Sequence, residues 1–121
     1  MGQDLSVITI DTHDRDGWTV IAVAGEVDVV SAPELRGEIV RVVTGGSTEV
    51  VLDLSGVVFI DSFGLGVLVG AVKRIQAHAG HLRVVVGEAR VSAVLELTGL
   101  DRVLDLRDSL DDAVAPPESG G

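Results

Sequence analysis

Residues 49–66 read EVVLDLSGVVFIDSFGLG, and this stretch decides the fold. Glu49 to Leu54 is mostly apolar and rich in branched side chains, which predicts a central strand covered on both faces. Ser55-Gly56 predicts a turn. Val57 to Ile60 is then a short apolar approach to Asp61-Ser62, which open a glycine-rich helix running to about Ala79 and stopped by Gly80. Lys73 and Arg74 lie in the second half of that helix, where cations complement its dipole. A strand feeding directly into a helix is half of a parallel βαβ unit.

Working outward, residues 5–12 (LSVITIDT) and 18–24 (WTVIAVA) are β-rich runs. The polar connection His13–Gly17 predicts a hairpin with a three- to five-residue loop. Gly25-Glu26-Val27-Asp28 predicts a loop. Ser31-Ala32-Pro33-Glu34 carries the marks of a helix start, with Ser31 as cap, Pro33 in the first turn and Glu34 placed as in a capping box. Leu35, Ile39, Val42 and Val43 form one apolar face, and Gly45-Gly46 ends the helix. Downstream, Leu82–Val86 predicts a strand, Val91–Thr98 a helix ended by Gly99, Val103–Leu106 a short last strand and Ser109–Val114 a closing helix. Pro116 to Gly121 completes a tail expected to be disordered over 115–121. The order β-β-α-β-α-β-α-β-α predicts one α/β domain over residues 1–114, a mixed sheet of about five strands with about four helices packed on it.

Composition narrows the function. The chain of 121 residues carries a net charge of -10, and 46% of it is hydrophobic but only 2% aromatic. An acidic protein repels phosphate backbones, which argues against direct DNA or RNA binding. The chain has no cysteine, so thiol catalysis and zinc–thiolate sites are excluded, and a cytoplasmic setting is compatible. The longest apolar run, Phe63 to Val72, falls far short of the ~20 residues that span a bilayer. Met1 to Asp4 lacks the basic and apolar regions of a signal peptide.

Chemistry concentrates at Asp61-Ser62-Phe63-Gly64-Leu65-Gly66. Ser62 at an N-cap would accept a hydrogen bond from an amide two or three residues on. A phosphate added there would meet free amides and the positive end of the helix dipole while changing the surface charge by roughly two units. Ser62 is therefore either a cap only or a modification site. The helix that follows is apolar nearly all round, so it is either packed on every side or leaves a face for a partner. Gly66 and Gly70 share a face and permit close backbone approach. A dinucleotide loop fits poorly, because Val69 stands where GxGxxG needs its third glycine. Asp53 as a phosphoacceptor fits poorly too, since the only lysine, Lys73, falls inside a helix; Asp53 reads better as bonding nearby loop amides. His13, His78 and His81 lack metal-ligand spacing, His78 suiting a helix C-terminus. No GxSxG element is present, and nothing supports hydrolytic catalysis. The residues thus imply no cofactor and no metal.

Four segments in order carry a resemblance: Gly25-Glu26-Val27-Asp28, then Ala32-Pro33-Glu34-Leu35, then VLDLSGVVFIDSFGLGVL (51–68), then VLELTGLDRVL (94–104). Over about residues 5–114 the chain resembles the anti-sigma-factor antagonists, stand-alone bacterial STAS domains. The resemblance implies a binding protein whose unphosphorylated form holds an anti-sigma factor that is also a serine kinase, so freeing a sigma factor. It implies that the kinase phosphorylates Ser62, that the modified protein lets go, and that a serine phosphatase resets it. Asp28 and Asp61 match acidic family positions beside the phosphosite and are expected to shape kinase recognition or the local cap. Phe63 departs from the family, where a small residue usually follows the serine, and marks a partner-specific contact or a hindrance to the kinase. A monomer or weak dimer is expected, the latter through an open sheet edge. Two alternatives remain with the same fold: a constitutive scaffold subunit of a signalling assembly, and a nucleotide or small-ligand binder.

Overall fold

The computed structural model describes residues 8–117. The strands are β1 (Ile8–Arg15), β2 (Trp18–Val27), β3 (Glu49–Ile60), β4 (His81–Val86) and β5 (Asp105–Arg107), and the helices are α1 (Ala32–Thr44), α2 (Ser62–Ala77), α3 (Ala89–Thr98) and α4 (Leu110–Ala113). A short 3-10 turn at Leu100–Arg102 follows α3. The five strands lie in the sheet in chain order, β1-β2-β3-β4-β5. β1 runs antiparallel to β2, and the remaining pairs are parallel. The expected mixed sheet and element order therefore hold.

Strand order explains where the helices go. Each parallel crossover steps to the next strand in the same direction, and the strong preference for right-handed crossovers then puts every crossover helix on one face. That face holds the main core. Ile21, Val23, Leu52, Leu54 and Val84 point from the sheet into Leu35, Ile39, Leu68, Ile75 and Leu95 of the helices, all buried. The strand side chains alternate, so Trp18, Val20, Val51 and Val85 face the other way, where α4 brings Ala113 and Val114 against them.

Several local expectations change. The hairpin closes through Asp16 and Gly17 alone, both at positive φ (53° and 86°), because Arg15 already pairs with Trp18. Two residues in that conformation match the twist of the strands, which a longer loop would not. Gly25 to Val27 is strand rather than loop, since β2 follows β3 to its end. Ser55-Gly56 is not a turn. It sits inside one continuous β3, at a register shift where Ala22 pairs with Asp53 but Ala24 with Gly56; the extra residue is absorbed as a bulge. β3 is central, but α4 covers its second face only in part, and Ser55 there is exposed. Asp53 Oδ1 accepts bonds from the Ser55 amide and hydroxyl (3.1 and 2.7 Å), closing on its own strand. The last strand begins at Asp105 rather than Val103. Residues 5–7 of the expected first strand lie outside the described residues.

The start of the expected tail is tied down. Arg83, buried on β4, donates from one guanidinium nitrogen to the carbonyls of Ala113 and Ala115 (3.0 and 2.6 Å) and stacks 4.4 Å over the Trp18 ring. Trp18 Nε1 donates to the Ala115 carbonyl as well, at 3.1 Å. Residues 118–121 of that tail lie outside the described residues. Arg83→Ala would strand the Ala113 carbonyl, leave the Ala115 carbonyl to Trp18 alone and remove the stacking cation. It is expected to cost about 2–3 kcal/mol, read as a lower urea midpoint at unchanged slope.

A hydrogen bond from Thr12 to Glu38, itself ion-paired with Arg41, ties β1 to α1. Glu38 accepts hydrogen bonds from Arg41 and from the Thr12 hydroxyl, and these hold its carboxyl down at about 2 from an ordinary 4.5. The folded value lies below the unfolded one, so this contribution is whole above about pH 4.5 and fades as pH falls toward 2. Glu38→Gln should flatten the pH dependence of the melting temperature in that window and leave it unchanged in shape above it.

Candidate functional site

The site forms where two parallel strands end side by side. Val27 closes β2 opposite Ile60 of β3. The next residues, Asp28 and Asp61, therefore start adjacent loops, and the Asp61 amide donates to the Val27 carbonyl at 3.1 Å. Both chains leave the carboxyl ends of their strands toward the same face of the sheet, which sets the two loops side by side.

Asp61, not Ser62, caps α2. Its backbone is extended, and its Oδ1 accepts from the amides of Phe63 and Gly64 (2.9 and 3.1 Å). Ser62 is the first helical residue and is exposed. The expected cap moves back by one because a carboxylate at Asp61 reaches both amides at once. A phosphate on Ser62 would therefore find the Phe63 and Gly64 amides already taken. It would stand beside a carboxylate that already holds them.

Asp28 does the same work for the neighbouring loop. Its Oδ1 accepts from the amides of Val30 and Ser31, both at 3.0 Å. The hydrogen bond from the Ser31 backbone amide is the main reason its carboxyl sits below the ordinary carboxylate range. Ser31 has no cap bond to α1. Its buried hydroxyl instead donates to the Glu26 carbonyl at 2.6 Å and accepts from the Asp28 amide at 3.0 Å. The expected capping box is replaced by an Asp28–Ser31 box that fixes the loop against the end of β2.

Gly64 is the close-approach glycine. A Cβ there would stand 2.6 Å from Ile60 Cγ1 and 2.9 Å from the Val27 carbonyl oxygen, so only glycine lets α2 settle on the strand ends. Gly66 and Gly70 were the expected positions for close approach, yet a Cβ on either meets nothing within 4 Å. They open onto a groove between α1 and α2 instead. Leu65 is half-buried on the core.

Around Ser62 the surface is apolar where it is exposed. Val29 and Val30 follow Asp28, Val58 and Phe59 precede Asp61, and Phe63 is 57% exposed. Asp28, Asp61, Ser62, Phe63, Gly64, Leu65 and Gly66 thus all fall in one neighbourhood, but Gly64 is buried beneath it. Val29, Val30, Val58 and Phe59 were missed by sequence reasoning. The available signal was two adjacent branched residues in a loop, and two apolar neighbours where a half-buried strand should alternate. The histidines lie elsewhere, His13 against Asp11, His81 against Glu49, and His78 on the Arg74 carbonyl at the end of α2.

Comparison with known proteins finds the same domain. A family model described as the STAS domain matches residues 9–113. The anti-sigma-B factor antagonist of Bacillus subtilis is 32% identical over 82% of this chain and 90% of its own length. The anti-sigma-F factor antagonist of Mycobacterium tuberculosis H37Rv is 32% identical over 93% and 92%. A crystal structure of an anti-sigma factor antagonist from Mycobacterium paratuberculosis superposes with a TM-score of 0.82 at 37% identity, covering 88% of this chain and 91% of that one. Among the described residues no helix is long and apolar enough to cross a membrane.

The cap and the glycine give separable tests. Asp61→Ala should destabilise by about 1 kcal/mol, the usual worth of an N-cap, seen as a fall of a few degrees in Tm. Gly64→Ala should cost about 1–3 kcal/mol through overpacking, with Gly66→Ala neutral or mildly stabilising in the same melt.

Proposed function

The chain belongs to the STAS domain family, and from that premise we propose that it is an anti-sigma-factor antagonist that works as a phosphorylation-switched binding module in the cytoplasm, rather than as an enzyme. The partner is an anti-sigma factor with serine kinase activity. It docks on the surface formed by Asp28, Asp61, Ser62, Phe63, Leu65 and Gly66, with Gly64 holding that surface in place from below. Binding of the unphosphorylated protein frees a sigma factor. Phosphorylation of Ser62 switches binding off, and a serine phosphatase restores it.

One observation carries this reading. An exposed serine stands at the first position of a helix, next to exposed Phe63, in a neighbourhood where Val29 and Phe59 are exposed too, with Asp61 already holding the Phe63 and Gly64 amides. A hydroxyl there is compatible with an apolar interface. A phosphate brings roughly two negative charges, while the Phe63 and Gly64 amides at the helix start are already held by Asp61. Those charges would have to be desolvated against apolar partner groups and would lie beside the Asp61 carboxylate. Repulsion and desolvation both act against the complex, and neither requires the fold to change.

Phe63 has a defined place in this scheme. It projects from the turn that carries Ser62 and is more exposed than Phe59, the other aromatic there, and aromatics are the type of side chain that anchors interfaces. The test is binding of purified wild type, Ser62→Ala, Ser62→Asp and Phe63→Ala to the anti-sigma factor of the host. Ser62→Ala is expected to bind as wild type does, Ser62→Asp to lose at least about tenfold, and Phe63→Ala to lose a comparable amount with its melting temperature unchanged. Equal binding by Ser62→Asp and wild type would leave a constitutive scaffold as the better reading.

A further inference from the structure

The groove that Gly66 and Gly70 open adjoins the surface around Ser62, with Val29, Phe63 and Gly66 bordering both, but carries a different charge. It runs between α1 and α2 and has a volume of about 550 Å³, which lies within the range of small-molecule sites. Ala32, Ile39, Val67 and Ala71 give it an apolar floor, and the two glycines leave it open because neither carries a side chain to fill it. Only two charged residues line it, Arg36 from α1 and Arg74 from α2. Both are cations in a chain with 9 basic and 19 acidic residues. Neither guanidinium has an ion-pair partner among the described residues, although other arginines here do, Arg41 with Glu38 and Arg107 with Asp105 among them. No acidic residue lines the groove.

An apolar trough with unpaired guanidinium groups on the two helices that form it is complementary to a molecule with an apolar body and one anionic end. Arginine suits this task, because its planar fork binds a carboxylate through two parallel hydrogen bonds. We propose that the α1–α2 groove is a binding site for an amphipathic carboxylate of the fatty-acid class, its alkyl chain lying over Gly66 and Gly70 and its carboxylate held by Arg36 and Arg74. This goes beyond the antagonist reading and does not depend on it, since the ligand contacts need neither Ser62 nor a partner protein.

The test titrates decanoate and, separately, decan-1-ol into the ¹⁵N-labelled protein, below the concentration at which either self-associates, with amide shifts as readout. Four proteins are compared: wild type, the Arg36→Gln/Arg74→Gln double variant, Gly70→Leu and Gly66→Leu. The leucines fill the groove without meeting other atoms at Cβ, and leucine is a better helix former than glycine. Two fillings at different points keep the test informative if one fails to fold. The expected result is saturable one-to-one binding of decanoate by wild type, with the shifts centred on Ala32, Gly66, Gly70 and Ala71. The double variant should bind decanoate about tenfold more weakly and decanol as wild type does. A folded leucine variant should show no saturable binding.

Four outcomes overturn the proposal. The first is absence of saturable shifts in wild type. The second is decanol binding as tightly as decanoate. The third is unchanged decanoate binding in a folded leucine variant. The fourth is a concentration-dependent dimer that buries these same amides, which would make a second copy the occupant.

Discussion

Everything at the functional end of the molecule depends on how the first turn of α2 rests on the ends of β2 and β3. Asp61 holds that turn from two directions. Its amide donates to Val27 of the neighbouring strand, and its side chain accepts the amides of Phe63 and Gly64. Gly64 then sits against Ile60 and the Val27 carbonyl at a distance no Cβ would tolerate. With the helix start fixed to the sheet at these points, Ser62 and Phe63 are presented outward as a rigid pair. A binding surface built on regular elements loses little conformational freedom when it is covered.

The same docking bears on the sign of the proposed switch. At a helix start with free amides, an added phosphate is welcome, because the dipole and the unpaired donors accept it. Here the aspartate has taken two of those donors, the Phe63 and Gly64 amides. In the proposed switch, a modified serine would gain more charge than partners, and the cost would fall on whatever covers it. Binding would then be lost without unfolding the domain.

The sheet divides the molecule into unequal faces. Three helices bury one face, while the small helix α4 and the Trp18–Arg83 stack cover part of the other. On the crowded side a groove remains between α1 and α2, and Gly66 and Gly70 supply no side chains to fill it. Phe63 borders both this groove and the surface around Ser62. An occupied groove would thus change the shape offered beside the serine.

The fold and the strand-to-helix junction at Asp61-Ser62 were legible in the chain. Branched aliphatic runs alternating with capped, glycine-stopped amphipathic segments name a mixed sheet with helices, because each pattern satisfies one backbone geometry and not the other. The DS-x-GLG core, read as Asp61, Ser62, Gly64, Leu65 and Gly66, marked the strand-to-helix junction for the same local reason. Tertiary structure alone decided which residue does what there. Asp61 and Ser62 are both good caps, and the choice fell to the one whose amide the neighbouring strand could also use. Gly25 to Val27 and Ser55-Gly56 look like turns, yet a partner strand supplies their hydrogen bonds and keeps them extended. Gly64, Gly66 and Gly70 look alike in sequence, and only the packing distinguishes the one that must be small from the two that leave a space. Local pattern reports what a backbone prefers, whereas burial, bridging bonds and empty volume depend on residues far away in the chain that fold brings near.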